Sequence, residues 1–256
     1  MYKSLKNIKS QGYTILKKVI KKKQCDDLVK ELNKITKIRL KKNQYVGNNE
    51  YLILHNYFTY KSSFLNLLCL KKVNEILNKV IDEDYVLISS SARNRFKNNL
   101  VKKKVRATGG LGWHTDTRYL QGKKMNPSLR YLVIIALEDF NKFNASTLII
   151  PRSHKKNDKP LRDKNYKNSK KIFLEKGSVV IFDSALWHKA GDPTENSRWA
   201  IFSSYGPWYF KPYFQFDKIM AKSYKNLTKL QKKIFHFNTT PPTKFNSSDI
   251  ATLRKI

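Results

Sequence analysis

Apolar positions along the chain change their period near residue 85. Before it, a short alternating stretch over residues 11–20 (QGYTILKKVI) predicts a strand, and Cys25, Leu28, Val29, Leu32 and Ile35 then recur at helical spacing. A second helical pattern runs from Phe64 to Ile81 through Cys69, Val73, Ile76, Leu77 and Val80. Beyond Tyr85 short β-rich runs take over: YVLISS near 85, RYLVIIAL from 130, TLII from 147, SVVIF from 178 and RWAIFSSY from 198. Their regular separation by turn-rich polar segments predicts a sandwich or barrel. The polar stretch Lys155 to Lys171 reads as a long exposed loop, placed to serve as a lid. After the aromatic run PWYFKPYFQF, the spacing of Leu227, Leu230 and Ile234 predicts one covering helix, followed by a polar TTPPT end.

Composition narrows the class. At 256 residues with 40% hydrophobic and 12% aromatic content, the chain reads as a single domain over 1–256 with a core of its own. Its longest apolar stretch, Leu132 to Leu137, is far short of the ~20 residues of a membrane span, and MYKSLKNIKS lacks an apolar signal core. A cytoplasmic protein without a membrane span is expected. Cys25 and Cys69 both fall in apolar helical patterns, which predicts buried thiols and neither a disulfide framework nor a zinc cluster. The formal charge of +33 would by itself point to a polyanion. However, only 10 of the 52 basic residues are arginine; the other 42 are lysines scattered through the sequence. Runs such as Lys21–Lys23, Lys102–Lys104 and Lys170–Lys171 are short and lack the interleaved aromatics of a single-strand groove. A solvated basic face is expected, and nucleic acid is not the expected partner.

Candidate chemistry is concentrated between residues 93 and 198. His114 and Asp116 in GLGWHTDTRY form an i, i+2 pair, which in an extended segment presents both side chains to one side. His188 follows the run SVVIFDSALWH. Two imidazoles and one carboxylate suit iron(II) and leave three coordination positions free. Arg198, ten residues later, carries a planar guanidinium suited to a bidentate grip on a dicarboxylate. In SSSARNRFK, alternation places Arg93, Arg95 and Lys97 on one strand face. Tyr119 is placed at the substrate mouth. Asp183 is read as capping a turn or orienting a neighbour, His154 as structural, and His55 and His236 as ordinary positions. Trp113, Trp187, Trp199 and Trp208 are read as core aromatics by default.

The succession WHTD, NASTLIIPRSH and KGSVVIFDSALWHKAGDPTENSR resembles the phytanoyl-CoA dioxygenase family, a branch of the iron(II)- and 2-oxoglutarate-dependent oxygenases. The resemblance runs from GYTILKKVI to PWYFKPYFQF. It implies a mainly β (α+β) fold, a double-stranded β-helix (jelly-roll, cupin-like) core with N-terminal and C-terminal helices packed outside. It implies Fe(II) on His114, Asp116 and His188, 2-oxoglutarate with its distal carboxylate on Arg198, O2 as the third reactant, and a basic residue upstream of the metal motif that helps bind the co-substrate, for which Arg95 is taken from Arg93, Arg95 and Lys97. Asp116 stands where related halogenases carry a small residue, so the resemblance implies hydroxylation of an aliphatic C–H, with release of succinate and CO2. Ala145 and Arg152 replace glycines usual in the family, and Arg152 is a candidate contact for a small, anionic substrate. The Lys-rich stretch between Phe96 and Gly109 is longer than usual and is placed at the pocket rim. Two other readings remain open: a metal-dependent β-barrel enzyme that does not use 2-oxoglutarate, and a non-catalytic barrel that binds polyanions.

Overall fold

In the computed structural model, which describes residues 1–48, 50–97, 112–117 and 119–239, the first half of the chain alternates helices with short strands. These are α1 (Tyr2–Gln11), β1 (Tyr13–Leu16), α2 (Lys22–Lys41), β2 (Val46–Asn48), β3 (Tyr51–His55), α3 (Ser62–Leu67), α4 (Lys71–Val80) and β4 (Val86–Arg95). The second half is mostly strand: β5 (Tyr119–Leu120), β6 (Lys123–Lys124), β7 (Tyr131–Ala136), β8 (Leu148–Ile149), β9 (Lys170–Lys171), β10 (Val179–Asp183), β11 (His188–Lys189) and β12 (Trp199–Gly206). Two short helices follow, α5 (Phe216–Met220) and α6 (Lys229–Ile234).

Seven strands form one antiparallel sheet in the order β1-β10-β7-β12-β4-β3-β2, and β11-β8-β9 form a small second sheet. This is the expected jelly-roll core, and its alternation assigns a role to each face. Outward residues, among them Leu54, Leu87, Ala92, Val133, Ile135, Val179, Ile181 and Ile201, join Cys25, Leu28, Leu32 and Ile35 of α2 and Phe64, Val73, Ile76 and Leu77 of α3 and α4 in the main core. Inward residues Leu132, Ile134, Ala136, Val180, Phe182 and Ala200 pack with Ile149, Ile172 and Leu174 between the sheets. Burying each such aliphatic side chain contributes roughly 1.5–3 kcal/mol, so the helices on the outer face hold the wall against which the site is built.

Three sequence expectations are corrected. The helix expected over Phe64–Ile81 is two helices, broken at Leu68–Leu70, where Leu68 and Cys69 donate to carbonyls three residues back and Leu70 is extended. The break frees the Leu68 carbonyl, which accepts from Tyr205 Oη at 3.0 Å, and it places Phe64, Leu67 and Leu68 in the core alongside Val73 and Ile76. The covering helix expected after Pro207 is α5, a 3-10 turn over Ala221–Asn226 and α6, the last begun by a Thr228–Gln231 capping box. Helix α1 was not expected, since only Leu5 and Ile8 mark its apolar side, and neither were β2 and β3.

Residues 155–171 form mostly exposed loop, as expected, ending in β9. The rim segment between Phe96 and Gly109 lies outside the described residues from 98 onward, as does the end of TTPPT from 240. Cys25 is buried and Cys69 half-buried, neither in a disulfide; burial pushes their thiols up, to about 11 and about 12. No helix among the described residues is long and apolar enough to cross a membrane.

Candidate active site

His114 and His188 are joined through their backbones: each N–H donates to the other's carbonyl at 3.0 Å, the bridge that ties the segment after Gly112 to β11. The amides of Asp116 and Thr117 both donate to the Ser184 carbonyl, at 2.8 and 3.0 Å, which fixes the turn that carries the carboxylate. The result is one cluster in which ligand atoms of His114, Asp116 and His188 all lie within 4.8 Å of one another. Among the described residues no other group of three or more such side chains is brought together in this way.

The ring orientations of the two histidines are determined in the same manner. His114 Nδ1 lies 2.9 Å from the Gly112 carbonyl and His188 Nδ1 2.8 Å from the Leu186 carbonyl. A carbonyl only accepts, so Nδ1 carries the proton in both rings and Nε2 presents a lone pair, the tautomer that a metal requires. His188 Nε2 is 3.6 Å from Asp116 Oδ2. Burial, and then the neighbouring His114, push the His188 pKa down to about 4, so the ring is neutral at neutral pH. Burial would raise the Asp116 carboxyl, but His188, Arg130, His114 and Arg93 outweigh it and hold it below the usual carboxylate range. A neutral His188 imidazole and an ionised Asp116 carboxylate are therefore ready to act as donors without losing a proton first.

Arg198 enters the same interior from the start of β12. Its backbone N–H donates to Asn94 Oδ1 at 2.9 Å, its Nη2 donates to the Ala145 carbonyl at 2.6 Å, and its guanidinium carbon lies 3.9 Å from the centroid of Phe140. Its Nε and Nη1 are buried with no hydrogen-bond partner among the described residues. Burial, then Arg95 and Arg93, lower its pKa to about 9. A buried guanidinium with two orphaned N–H donors and cationic neighbours is the mark of an anion site.

Arg95 lies on the adjacent strand, next along its inner face from Arg93, which is paired with Ala200; its Nε donates to the Gly191 carbonyl at 2.6 Å. Gly191 must be glycine, because a Cβ would stand 2.3 Å from the Ser146 carbonyl and 2.9 Å from the Ala145 carbonyl carbon. The glycine thus lets the segment bearing Arg95's acceptor lie against the segment bearing Arg198's. Ala145, a departure from the family pattern, keeps this function because it contributes only its backbone.

The remaining candidates are distributed unevenly. Arg93 shares the inner face, whereas Lys97 lies beyond the end of β4, exposed, with Glu195 at 3.4 Å. Tyr119 donates to the Asp158 carbonyl at 3.1 Å and so touches the long loop, and its hydroxyl also meets the side chain of Thr115, between His114 and Asp116. Arg152 is exposed, takes a left-handed φ of 70°, and gives its N–H to Gln11 at the end of α1. Among the described residues no hydrogen bond, ion pair or ring contact brings it to the triad. Asp183 caps a turn by accepting from Ala185 at 2.7 Å, and His154 and His236 meet the carbonyls of Lys9 and Leu87. Trp113 and Trp187 sandwich Tyr166 of the loop, Trp199 donates to Asn33 from the main core, and Trp208 is exposed. Arg130 is the residue that sequence reasoning passed over. Its Nη1 lies 3.5 Å from the Asp116 carbonyl, and its position at the head of RYLVIIAL has the parity of the inward residues Leu132 and Ile134. That parity was the available signal.

A double-stranded β-helix that gathers two imidazoles and a carboxylate, with room left for further ligands, is the architecture of mononuclear non-haem oxygenases. The sequence profile of the phytanoyl-CoA dioxygenase family matches residues 8–200, and the chain belongs to that family. Among curated proteins, Uncharacterized protein Mb1539 of Mycobacterium bovis and Uncharacterized protein Rv1501 of Mycobacterium tuberculosis are each 32% identical over 90 residues. That stretch is 35% of this chain and 32% of either relative, so the match spans about a third of their length. Among solved structures, HygX of Streptomyces hygroscopicus, crystallised with nickel, 2-oxoglutarate and hygromycin B, superposes with a TM-score of 0.65 at 16% identity over 85% of this chain and 91% of its own. The epimerase SnoN, in complex with Fe3+, alpha-ketoglutarate and nogalamycin RO, gives a TM-score of 0.60 at 12% identity, covering 82% and 86%. At these identities the likeness is one of fold.

Proposed function

We propose that the protein is an iron(II)- and 2-oxoglutarate-dependent dioxygenase that hydroxylates an aliphatic C–H of a small anionic metabolite. The observation that carries this reading is the pair of orphaned donors on buried Arg198 in the barrel that holds the His114, Asp116 and His188 cluster. The donor set fits a divalent iron, and the guanidinium fits the distal carboxylate of a 2-oxo diacid. When bound, iron and 2-oxoglutarate supply the oxidising equivalent from O2, and the co-substrate leaves as succinate and CO2.

The chain's own residues have distinct parts. His114 and His188 offer Nε2 because their Nδ1 protons are held by carbonyls, and Asp116 offers a carboxylate already ionised at neutral pH. Arg198 anchors the co-substrate, steadied by Phe140 and Ala145. Arg95 adds positive charge beside it and holds Gly191 in place. Phe182, 5.0 Å from the His188 ring, and the Trp113, Ile150 and Trp187 cluster form dry walls that keep water from the reacting centre. The assemblies in which HygX and SnoN were crystallised, each a metal with 2-oxoglutarate and a small molecule, favour the same use of this fold.

The test is anaerobic reconstitution with iron(II) followed by 2-oxoglutarate titration. A weak visible charge-transfer band is expected in the parent protein and is expected to vanish in His114→Ala and Arg198→Ala. A folded, metal-loaded protein that shows no band would favour a barrel enzyme that works without 2-oxoglutarate.

A further inference from the structure

Arginine and lysine are distributed differently in this molecule. Four of the 10 arginines, Arg93, Arg95, Arg130 and Arg198, are gathered on the inner side of the jelly roll, Arg93 exposed and the other three buried, and two of them are not needed for the co-substrate. On β12 the inward residues after Arg198 are Ala200, Phe202 and Ser204. Arg93 stacks on Phe202, its guanidinium carbon 4.5 Å from the ring centroid, with its Nε donating to Ser91 Oγ at 3.0 Å. Arg130 lies two residues further along, its Nε donating to Ser204 Oγ and its Nη1 3.3 Å from Tyr213 Oη. The positions of Arg198 and Ser204 are thus about 20 Å apart along the strand at ~3.3 Å per residue, while those beneath Arg93 and Arg130 are about 7 Å apart.

Both side chains are oriented through Nε. Among the described residues, Arg93 Nη1 and Nη2 and Arg130 Nη2 make no hydrogen bond or ion pair with a side chain or carbonyl. The one carboxylate that interacts with both is Asp116, itself a candidate metal ligand. Arg130 and Asp116 also line one narrow crevice, whose other walls are Thr117, Met125, Leu129 and Phe210. A single carboxylate is saturated by one bidentate guanidinium, whereas a phosphate group offers acceptors in several directions and a charge near −2. Two preoriented guanidiniums arriving from different strands match the second geometry.

We propose that Arg93 and Arg130 form an anion clamp beside the His114, Asp116 and His188 cluster, and that the substrate is a phosphate monoester. The word substrate rests on the oxygenase reading above; the phosphate site does not. This assignment moves the anion contact from Arg152 to the inner side of the sheet, beside the three candidate ligands.

The experiment is an NMR titration of the full-length, metal-free protein with inorganic phosphate, glycerol 3-phosphate and acetate, read at the arginine Nε–Hε resonances. It is repeated with saturating 2-oxoglutarate. Shifts at Arg93 and Arg130, with dissociation constants at least tenfold lower for the phosphates than for acetate and unchanged by 2-oxoglutarate, are the expected result. Arg93→Gln and Arg130→Gln should each weaken phosphate binding about tenfold, with dispersion of the amide spectrum confirming the fold. Acetate binding as tightly as phosphate, displacement by 2-oxoglutarate, loss in Arg198→Gln but not in Arg93→Gln and Arg130→Gln, or loss only in Arg152→Gln would each overturn the clamp. Because the titration needs no metal, absence of the charge-transfer band and absence of phosphate binding are separate failures.

Discussion

The two faces of the seven-stranded sheet do opposite work. The outer face is mainly aliphatic and is covered by α2, α3, α4 and α6, and its few polar side chains, such as Ser90, Ser203 and Tyr205, are hydrogen-bonded within the core. The inner face is aliphatic where β7 and β10 face the small sheet, but on β4 and the ends of β12 it carries Ser91, Arg93, Arg95, Arg198 and Ser204. Cations packed this closely with few anions oppose folding, and the outer face supplies the packing that holds them together. Substitutions on the two faces should therefore separate stability from ligand binding.

The largest separation is expected from His188→Ala, which removes one of the three donors without touching the outer core. Losing an outer partner of a metal ligand typically costs 10- to 100-fold in affinity, so loss of the ligand itself should weaken iron(II) or manganese(II) binding by more than about 100-fold. Equilibrium dialysis measures this, with a thermal midpoint for the metal-free protein close to the parent's. Ile135→Ala is the counterpart on the outer face. Deleting a fully buried isoleucine should cost about 2–5 kcal/mol in urea unfolding while leaving metal affinity of the folded protein unchanged. If Ile135→Ala weakened metal binding as much as His188→Ala, the division of labour between the faces would be wrong.

The sequence displayed this division in part. Alternation in RYLVIIAL, SVVIF and RWAIFSSY located the strands of both faces, and the HTD spacing with His188 picked out the three side chains that the fold gathers, because each depends on residues near in sequence or of distinctive type. The arginine cluster was less visible. Arg93, Arg95, Arg130 and Arg198 come from three strands, and only the register of β4, β12 and β7 brings them to one face. Arg95 was singled out for the co-substrate and Arg130 passed over, since a lone arginine before an apolar run looks like strand punctuation. The short β2 and β3 depend on pairing with each other and with β4 that no local pattern encodes, and the break at Leu68–Leu70 has no glycine or proline to mark it.

A pH series sharpens the contrast with a smaller effect. In the metal-free protein, burial holds His188 and His55 near a pKa of about 4, against about 6.5 in the unfolded chain. Between those values the unfolded chain binds protons that the folded chain refuses, so stability should be flat above about pH 7 and fall as the pH drops from 6.5 towards 4. For His188 alone the loss is up to about 3 kcal/mol at the acid end. Asp116 is depressed instead, so it begins to subtract only below its ordinary value near 3.8. Between pH 7.5 and pH 5 the urea midpoint of the parent should fall further than that of His188→Gln. Parallel curves would mean that the ring is not held neutral by burial.

The smallest effect tests whether the outer face contains specific polar structure as well as aliphatic packing. Tyr205 is buried on the outer face of β12, and its hydroxyl closes the helix break by donating to the Leu68 carbonyl. Tyr205→Phe keeps the ring, which stands edge-on to Tyr85 at 5.6 Å, and removes only that bond. Two consequences follow: the carbonyl at the α3–α4 break is left without its donor, and the buried ring no longer has to desolvate a hydroxyl. The first dominates if the break is rigid, giving a loss of about 1 kcal/mol in urea unfolding and faster amide exchange at Cys69 and Leu70. The second dominates if α3 can extend to join α4 and satisfy the carbonyl within a helix, leaving stability unchanged and slowing exchange at the same amides. The exchange data therefore decide whether the break between α3 and α4 is imposed by Tyr205 or is intrinsic to the sequence from Leu68 to Leu70.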